Sequence, residues 1–303
     1  MPDLSLPETP TTPPPGVSVH PVEGLGSVER LLAGVDVGAD DLVDPPLIES
    51  AAATQRPSVL ETADGDRVPF PLLATDASVL GAMFSIPLEQ AWALLPATER
   101  LVPLRVTPRR AAVSLFAWQV RRGTYGAYHE VGVAIPVLLD APKPPAPAPP
   151  SLWRDPAIGY YAVELPVDSE RVAQAGAGLM GLPHVVGEAT MEIGERGGRA
   201  TLALDGSPTA ELAVHLGRWP HRRRVDLSFQ SYSLLGGRIV RTRYLAVGDG
   251  YRGRRGTASV SFGERPRRVQ RLARLQLSRR PLELRVVSRM NWIAAPPEDA
   301  GAV

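Results

Sequence analysis

The chain has 303 residues, and its 33 basic and 32 acidic side chains leave a formal net charge of +1. Cysteine is absent and Lys143 is the single lysine, the other basic residues all being arginine. These counts exclude a cysteine nucleophile, a disulfide, an iron–sulfur cluster and a thiolate metal site. They also leave any amine-dependent mechanism with Lys143 alone, within the proline loop Ala141-Pro142-Lys143-Pro144-Pro145-Ala146-Pro147-Ala148-Pro149-Pro150. No uninterrupted apolar run approaches 18 residues, so no membrane partner is expected. The start, Met1-Pro2-Asp3-Leu4, has neither a basic nor an apolar leader region, which makes the cytoplasm the expected compartment. The predominance of arginine over lysine, with abundant Ala, Gly and Pro, reads as genomic base composition.

In chain order, residues 1–22 carry seven of the 32 prolines and read as a disordered lead-in. Residues 23–66 read as an acidic extension laid on the main body, with nine Asp or Glu against two Arg over residues 1–60. The main body, 67–295, is mostly β. Strands are expected at 101–107, 111–120, 129–139 and 158–165. The segments 188–193 and 199–204 flank Gly194-Glu195-Arg196-Gly197-Gly198, and 225–234 and 239–246 flank Gly236-Gly237, both hairpin signals. Strands at 257–262 and 282–292 complete the set. Two helices are predicted. The first, 87–95, places Leu88, Trp92 and Leu95 on one face, with Pro87 in its first turn. The second, 167–177, has Asp168-Ser169 for an N-cap and runs out in Gly176, Gly178 and Gly181. Residues 296–303 read as a flexible tail. The fold class that follows is α+β, mostly antiparallel, with a sheet curled into a barrel.

Three stretches, in order, carry a family resemblance. Ala127-Tyr128-His129-Glu130-Val131-Gly132-Val133-Ala134-Ile135-Pro136-Val137 resembles the aromatic-x-Glu-x-Gly-x-Ala-Ile-Pro-Val strand of the acetoacetate decarboxylase family. Tyr160-Tyr161-Ala162-Val163-Glu164-Leu165-Pro166-Val167-Asp168 is similar to its next strand, which leads into a short helix. Ala175-Gly176-Ala177-Gly178-Leu179-Met180-Gly181-Leu182-Pro183-His184-Val185 resembles its Gly-Arg-Glu…Tyr-Pro-Lys-Lys segment. The resemblance runs loosely from Leu72 to Trp292. It implies a cone-like barrel with an apolar pocket at one end, a small keto or enol ligand, and a homo-oligomer.

It also implies where the site lies and how it departs from the family. Family members form a Schiff base through a lysine whose pKa is lowered by an apolar pocket and a neighbouring cation. The positions matching the Lys-Lys pair are His184 and Val185, those matching the Arg-Glu pair are Ala177 and Gly178, and a second pocket glutamate falls on Leu115. Glu130 is retained. On these grounds Glu130 and His184 are the candidate catalytic residues, with Leu115, Tyr128, Tyr161, Met180, Leu182 and Pro183 as candidate substrate contacts. No cofactor is expected.

The expected chemistry is then non-covalent proton transfer such as enolisation, dehydration or cyclisation, with His184 and Glu130 as the groups that move protons. A binding protein without catalysis is the alternative. The five histidines show no metal-ligand spacing, and a site from His184, Glu130 and His215 has no support in sequence. From His215 to Arg289 there are 19 Arg against four acids, a density that could grip phosphates. Their alternation with apolar residues, as in Ile239-Val240-Arg241-Thr242-Arg243-Tyr244, argues against a nucleic-acid partner and for a solvated strand face. The acidic extension is the expected partner of this surface.

Overall fold

A computed structural model describes residues 12–21, 58–62, 64–141, 158–217, 223–263 and 267–303. In chain order the strands are β1 (Ser18–Pro21), β2 (Ser58–Glu61), β3 (Arg67–Phe70) and β4 (Leu72–Pro87), followed by helix α1 (Leu88–Leu94). Then come β5 (Leu101–Pro103), β6 (Arg105–Thr107), β7 (Arg110–Gly123), β8 (Tyr128–Leu139), β9 (Ile158–Val167) and helix α2 (Glu170–Met180). The next are β10 (His184–Val186), β11 (Glu188–Gly194), β12 (Gly197–Leu204), β13 (Ser207–Leu216), β14 (Arg223–Asp226) and β15 (Phe229–Leu235). Last come β16 (Arg238–Gly253), β17 (Gly256–Phe262), helix α3 (Arg267–Ala273), β18 (Glu283–Ala294) and β19 (Glu298–Ala302).

Seven strands close on themselves in the order β4, β7, β8, β9, β15, β16, β18 and back to β4. Every neighbour is antiparallel except β9 and β15, whose parallel pairing from Gly159 to Tyr161 shuts the ring. The result is a β-barrel with no free edge in the ring. A four-stranded sheet, ordered β11, β12, β13, β17, lies against its outer wall. Both faces of the barrel strands are therefore buried. The outer face contributes Leu80, Val113, Leu115, Ala117 and Val133, packed with Leu202, Leu212 and Val214 of the sheet. The inner face contributes Val79, Leu165 and Trp292, which pack with Met180 of α2.

The predicted strands and helices are present with shifted ends. The 101–107 strand breaks at Leu104, whose N–H donates to Pro136 and whose carbonyl accepts from Ala112. The 225–234 strand divides around Leu227 and Ser228. Helix α2 starts three residues later than predicted, because Val167 is still paired in β9 with Glu130 and Val186. Ser169 is its N-cap, accepting from the Val172 N–H at 3.4 Å. Gly181, at φ 63°, ends it in the left-handed conformation. Strands β4 and β13, unpredicted, are a wall of the ring and the middle of the small sheet.

Two terminal expectations are corrected. Part of the expected disordered lead-in forms β1, which pairs with β2, and Val17 beside it is buried. The expected flexible tail forms β19, paired with β16, with Glu298 buried against Arg241 and Arg243. A short edge strand survives there because charge pairing adds to its few ladder bonds. The proline loop with Lys143, and the extension between residues 22 and 57, lie outside the described residues.

Candidate active site

Inside the barrel is a cavity of about 120 Å³. Strand alternation decides which side chains reach it. On β7, Ser114, Phe116 and Trp118 point inward, while Leu115 points outward into the packing beneath the small sheet. Leu115 is thus removed from the candidate contacts, and the inward positions on this strand are its two neighbours. Tyr161 is corrected for the same reason: it faces the outer core, and Tyr160 lines the cavity. Pro183 also lies off the wall, linking the C-cap of α2 to β10. Tyr128, Met180 and Leu182 line the cavity.

Glu130 and His184 come together. Glu130 projects inward from β8, opposite Trp118 of β7. His184 opens β10, held by its N–H to Leu182 carbonyl bond at 2.8 Å. Its Nε2 lies 3.2 Å from Glu130 Oε2. Their side chains are 2% and 17% exposed, so the glutamate is the member open to the cavity. The other ring nitrogen, Nδ1, is buried with no hydrogen-bond partner. It rests on Gly176 in α2, where a Cβ would come within 2.1 Å of it. Because an unpartnered N–H costs more than an unused lone pair, the ring proton belongs on Nε2, donating to Glu130.

Val172, Gly176 and Met180, spaced by four along α2, form the stripe of the helix that meets the cavity and His184. Ala177 and Gly178, the positions matching the family's Arg-Glu pair, are off that stripe. Gly178 packs instead toward Thr62, just past β2.

The remaining wall is aromatic, and it was not read from the sequence. Phe229 and Tyr244 stack at 4.5 Å, Trp118 and Trp292 meet edge to face at 6.4 Å, and Tyr160 meets Phe229 edge to face at 5.9 Å. Tyr244 and Trp292 join these pairs at 5.9 Å. These side chains come from β7, β9, β15, β16 and β18, so only ring closure assembles them. Burial pushes the Tyr128 phenol well up, and the Glu130 charge pushes it further. The same two causes, in the same order, raise Tyr244. Both phenols are therefore neutral O–H donors at physiological pH. Arg285 enters the cavity from β18, donating to Tyr160 Oη at 2.9 Å and to Glu283 Oε1 at 2.6 Å.

None of the described residues lining the cavity is lysine. Among the described residues no group of three or more His, Asp or Glu is placed to hold a metal. His215, weighed as a third ligand beside Glu130 and His184, is exposed on β13. No helix among them is long and apolar enough to cross a membrane.

Six of the described C-terminal arginines pair with acids of the body itself. Arg238 pairs with Asp299, Arg241 and Arg243 with Glu298, Arg252 and Arg285 with Glu283, and Arg271 with Glu164. Most of the acidic extension, the expected partner of this surface, lies outside the described residues; Glu61 in its described part is bound to His20 and Arg67.

A model of the acetoacetate decarboxylase family matches residues 57–283, three quarters of the sequence. The chain belongs to the acetoacetate decarboxylase family. A search of curated proteins returned no significant match. Among solved structures, acetoacetate decarboxylase from Legionella pneumophila subsp. pneumophila str. Philadelphia 1 is similar, with a TM-score of 0.56 at 12% identity. That alignment covers 77% of this chain and 88% of the other. A second acetoacetate decarboxylase structure gives a TM-score of 0.56 at 13% identity, over 88% and 99% of the two chains. The enduracididine biosynthesis enzyme MppR, with HEPES buffer bound, gives 0.50 at 14% identity, over 93% and 99%. At such identities the likeness is one of fold: these neighbours share the acetoacetate decarboxylase barrel.

Proposed function

We propose that this family member acts on a small keto or enol compound in its barrel by non-covalent proton transfer, with Glu130 as the group that moves the proton. The observation that carries the reading is the buried His184–Glu130 pair at 3.2 Å in the wall of an apolar cavity. In an enolisation, the Glu130 carboxylate takes a proton from the carbon beside the carbonyl. The C–H electron pair becomes the C=C bond, the carbonyl π pair passes to oxygen, and a neutral phenol donates a hydrogen bond to that oxygen. His184, donating through Nε2, holds the carboxylate in place. Return of the proton from Glu130 to the enolate oxygen completes a tautomerisation; where the substrate carries a β-hydroxyl, the enolate electrons expel it, it takes the proton from Glu130 and leaves as water, completing a dehydration.

The sequence supports this over imine chemistry, because His184 occupies the position where the family carries its reactive lysine. Borohydride reduction in the presence of a β-keto acid should leave the protein mass unchanged, and a substrate-sized adduct would overturn the reading. The Glu130→Gln variant should lose at least about a hundredfold in solvent-deuterium exchange into a bound ketone, a typical share for one general base, while ligand affinity changes little. If the wild type binds ketones yet exchanges no deuterium, the barrel is a binding site without catalysis.

A further inference from the structure

Arg285 is the one arginine among the described residues that line the cavity, and it donates to Oη of Tyr160, another lining residue, at 2.9 Å. A guanidinium offers protons and no lone pair, so the Tyr160 oxygen is the acceptor of this bond. The phenol must then give its own proton in another direction. No described residue takes it, the bond from Arg285 being the only hydrogen bond that Tyr160 makes.

Both partners are fixed in place. Arg285 Nε donates to Glu283 at 2.6 Å, and Glu283 is itself held by Arg252 at 3.0 Å. The Tyr160 ring rests edge to face on Phe229 at 5.9 Å, with the Arg285 guanidinium 5.8 Å from its centroid. A hydroxyl set this way needs little reorganisation when charge develops beside it. The bond it receives from a cation also strengthens the one it can give.

The other phenols of the wall are placed differently. After burial, the Glu130 charge is the next cause that raises both Tyr128 and Tyr244, so both stand in the field of the base. The Tyr125 hydroxyl is closed off by burial. In an enolisation negative charge leaves Glu130 and appears on the substrate oxygen, which favours an oxygen turned to the cationic side of the cavity. Strand register sets that side at a usable distance. Arg285, Gly81 and Phe116 form one row across β18, β4 and β7, and Val287, Val79, Trp118 and Glu130 form the next on the same face. Two residues along a strand separate these rows by about 7 Å. A base about 3 Å from the reacting carbon and a donor about 3 Å from the carbonyl oxygen span a distance of that order.

We infer that Tyr160 is the oxyanion donor of this barrel: its hydroxyl, turned by the bond from Arg285, holds the substrate oxygen while Glu130 works on the neighbouring carbon. The proton passes from carbon to Glu130 and the carbonyl π pair to oxygen, and Tyr160 keeps its own proton throughout. Arg285 is a positioning residue that acts through Tyr160. The inference rests on the keto/enol reading of the site and names the group that binds the oxygen.

The cavity, about 120 Å³, is smaller than the void of about 150 Å³ that admits benzene, so acetone is a suitable probe. Two measurements on the full chain test the inference: solvent-deuterium exchange into acetone, and the infrared carbonyl stretch of isotopically labelled acetone at saturation. Tyr160→Phe deletes one oxygen and leaves Glu283 both its arginines. It should slow exchange about a hundredfold, the usual loss for one oxyanion donor, with KM little changed. The bound carbonyl should absorb at lower frequency in the wild type than in this variant. Arg285→Lys, which keeps a cation, should recover part of the rate that Arg285→Met loses. Adding Arg285→Met to Tyr160→Phe should slow exchange no further. An unchanged rate or an unchanged carbonyl frequency in Tyr160→Phe would overturn the assignment, and a slower double variant would overturn the indirect role of Arg285. A wild type that shows the Tyr160-dependent carbonyl shift but exchanges no deuterium would keep Tyr160 as the carbonyl donor and sink the proton-transfer reading.

Discussion

At position 176 two effects of a methyl group oppose one another. In an exposed helix interior, Gly→Ala gains up to about 1 kcal/mol from helix propensity. Here the added carbon would lie 2.1 Å from His184 Nδ1 and 2.3 Å from its Cε1. Forcing it in should cost about 1–3 kcal/mol of overpacking. Gly176→Ala is therefore expected to lower stability in urea titration and to cut proton-exchange activity by displacing the imidazole from Glu130. Stability and activity both unchanged would show that the ring can move aside without consequence. The same residue shows the limit of sequence reading: Gly176 was read with Gly178 and Gly181 as running the helix out, but only Gly181 ends it, and Gly176 lies inside the helix as a seat for His184, a residue eight positions on. Tyr160 and Tyr161 make a similar case. Alternation says that one of them faces the cavity, but with apolar neighbours on both sides nothing local says which.

At the scale of elements, β19 shows how much a five-residue strand can rest on charge. Glu298 is 5% exposed and accepts from Arg241 and Arg243, while Asp299 accepts from Arg238 at 2.5 Å. Replacing Glu298 with Gln leaves two half-buried guanidiniums short of an anion and should destabilise the protein by about 1.5–3 kcal/mol in urea unfolding. A loss of less than about half a kcal/mol would mean the strand is held by its ladder alone. The cap of α2 gives a smaller expectation: Ser169→Ala should cost about 1 kcal/mol, detectable as a fall in the same midpoint. That cap was legible because Ser before Glu170 is local chemistry. The tail was misread because Glu298-Asp299 has no apolar pattern, and its partners Arg238, Arg241 and Arg243 are distant in sequence.

Across the whole molecule, stability depends on carboxylates held in ionised form by arginine. The Arg121 hydrogen bond holds Asp76 below its ordinary value of 3.8, and Glu283 lies below its ordinary 4.5. A carboxyl whose pKa is depressed on folding contributes stability that is present above the unfolded value and is lost as pH falls through the folded one. Thermal unfolding should therefore be nearly flat from pH 7 down to about 5 as regards these groups, then drop steeply below the ordinary carboxylate range. Glu283→Gln should start lower at pH 7 and show a shallower acid drop. An unchanged acid slope in that variant would remove Glu283 from the account.

Composition and alternation by themselves determined the mostly antiparallel α+β class with a curled sheet, because both follow from local steric preferences. Three motif stretches, through their resemblance to the acetoacetate decarboxylase family, pointed to the family and to Glu130 and His184 as candidates. Only the tertiary structure decided which apolar face is the lumen, because a second sheet buries the outer face and removes the polar alternation that would have marked it. It also decided the aromatic wall, the place of Arg285 and the inward turn of Phe116 and Trp118 rather than Leu115. Each depends on strand register around a ring closed through β9 and β15, and register is a relation between distant segments that no window of sequence contains.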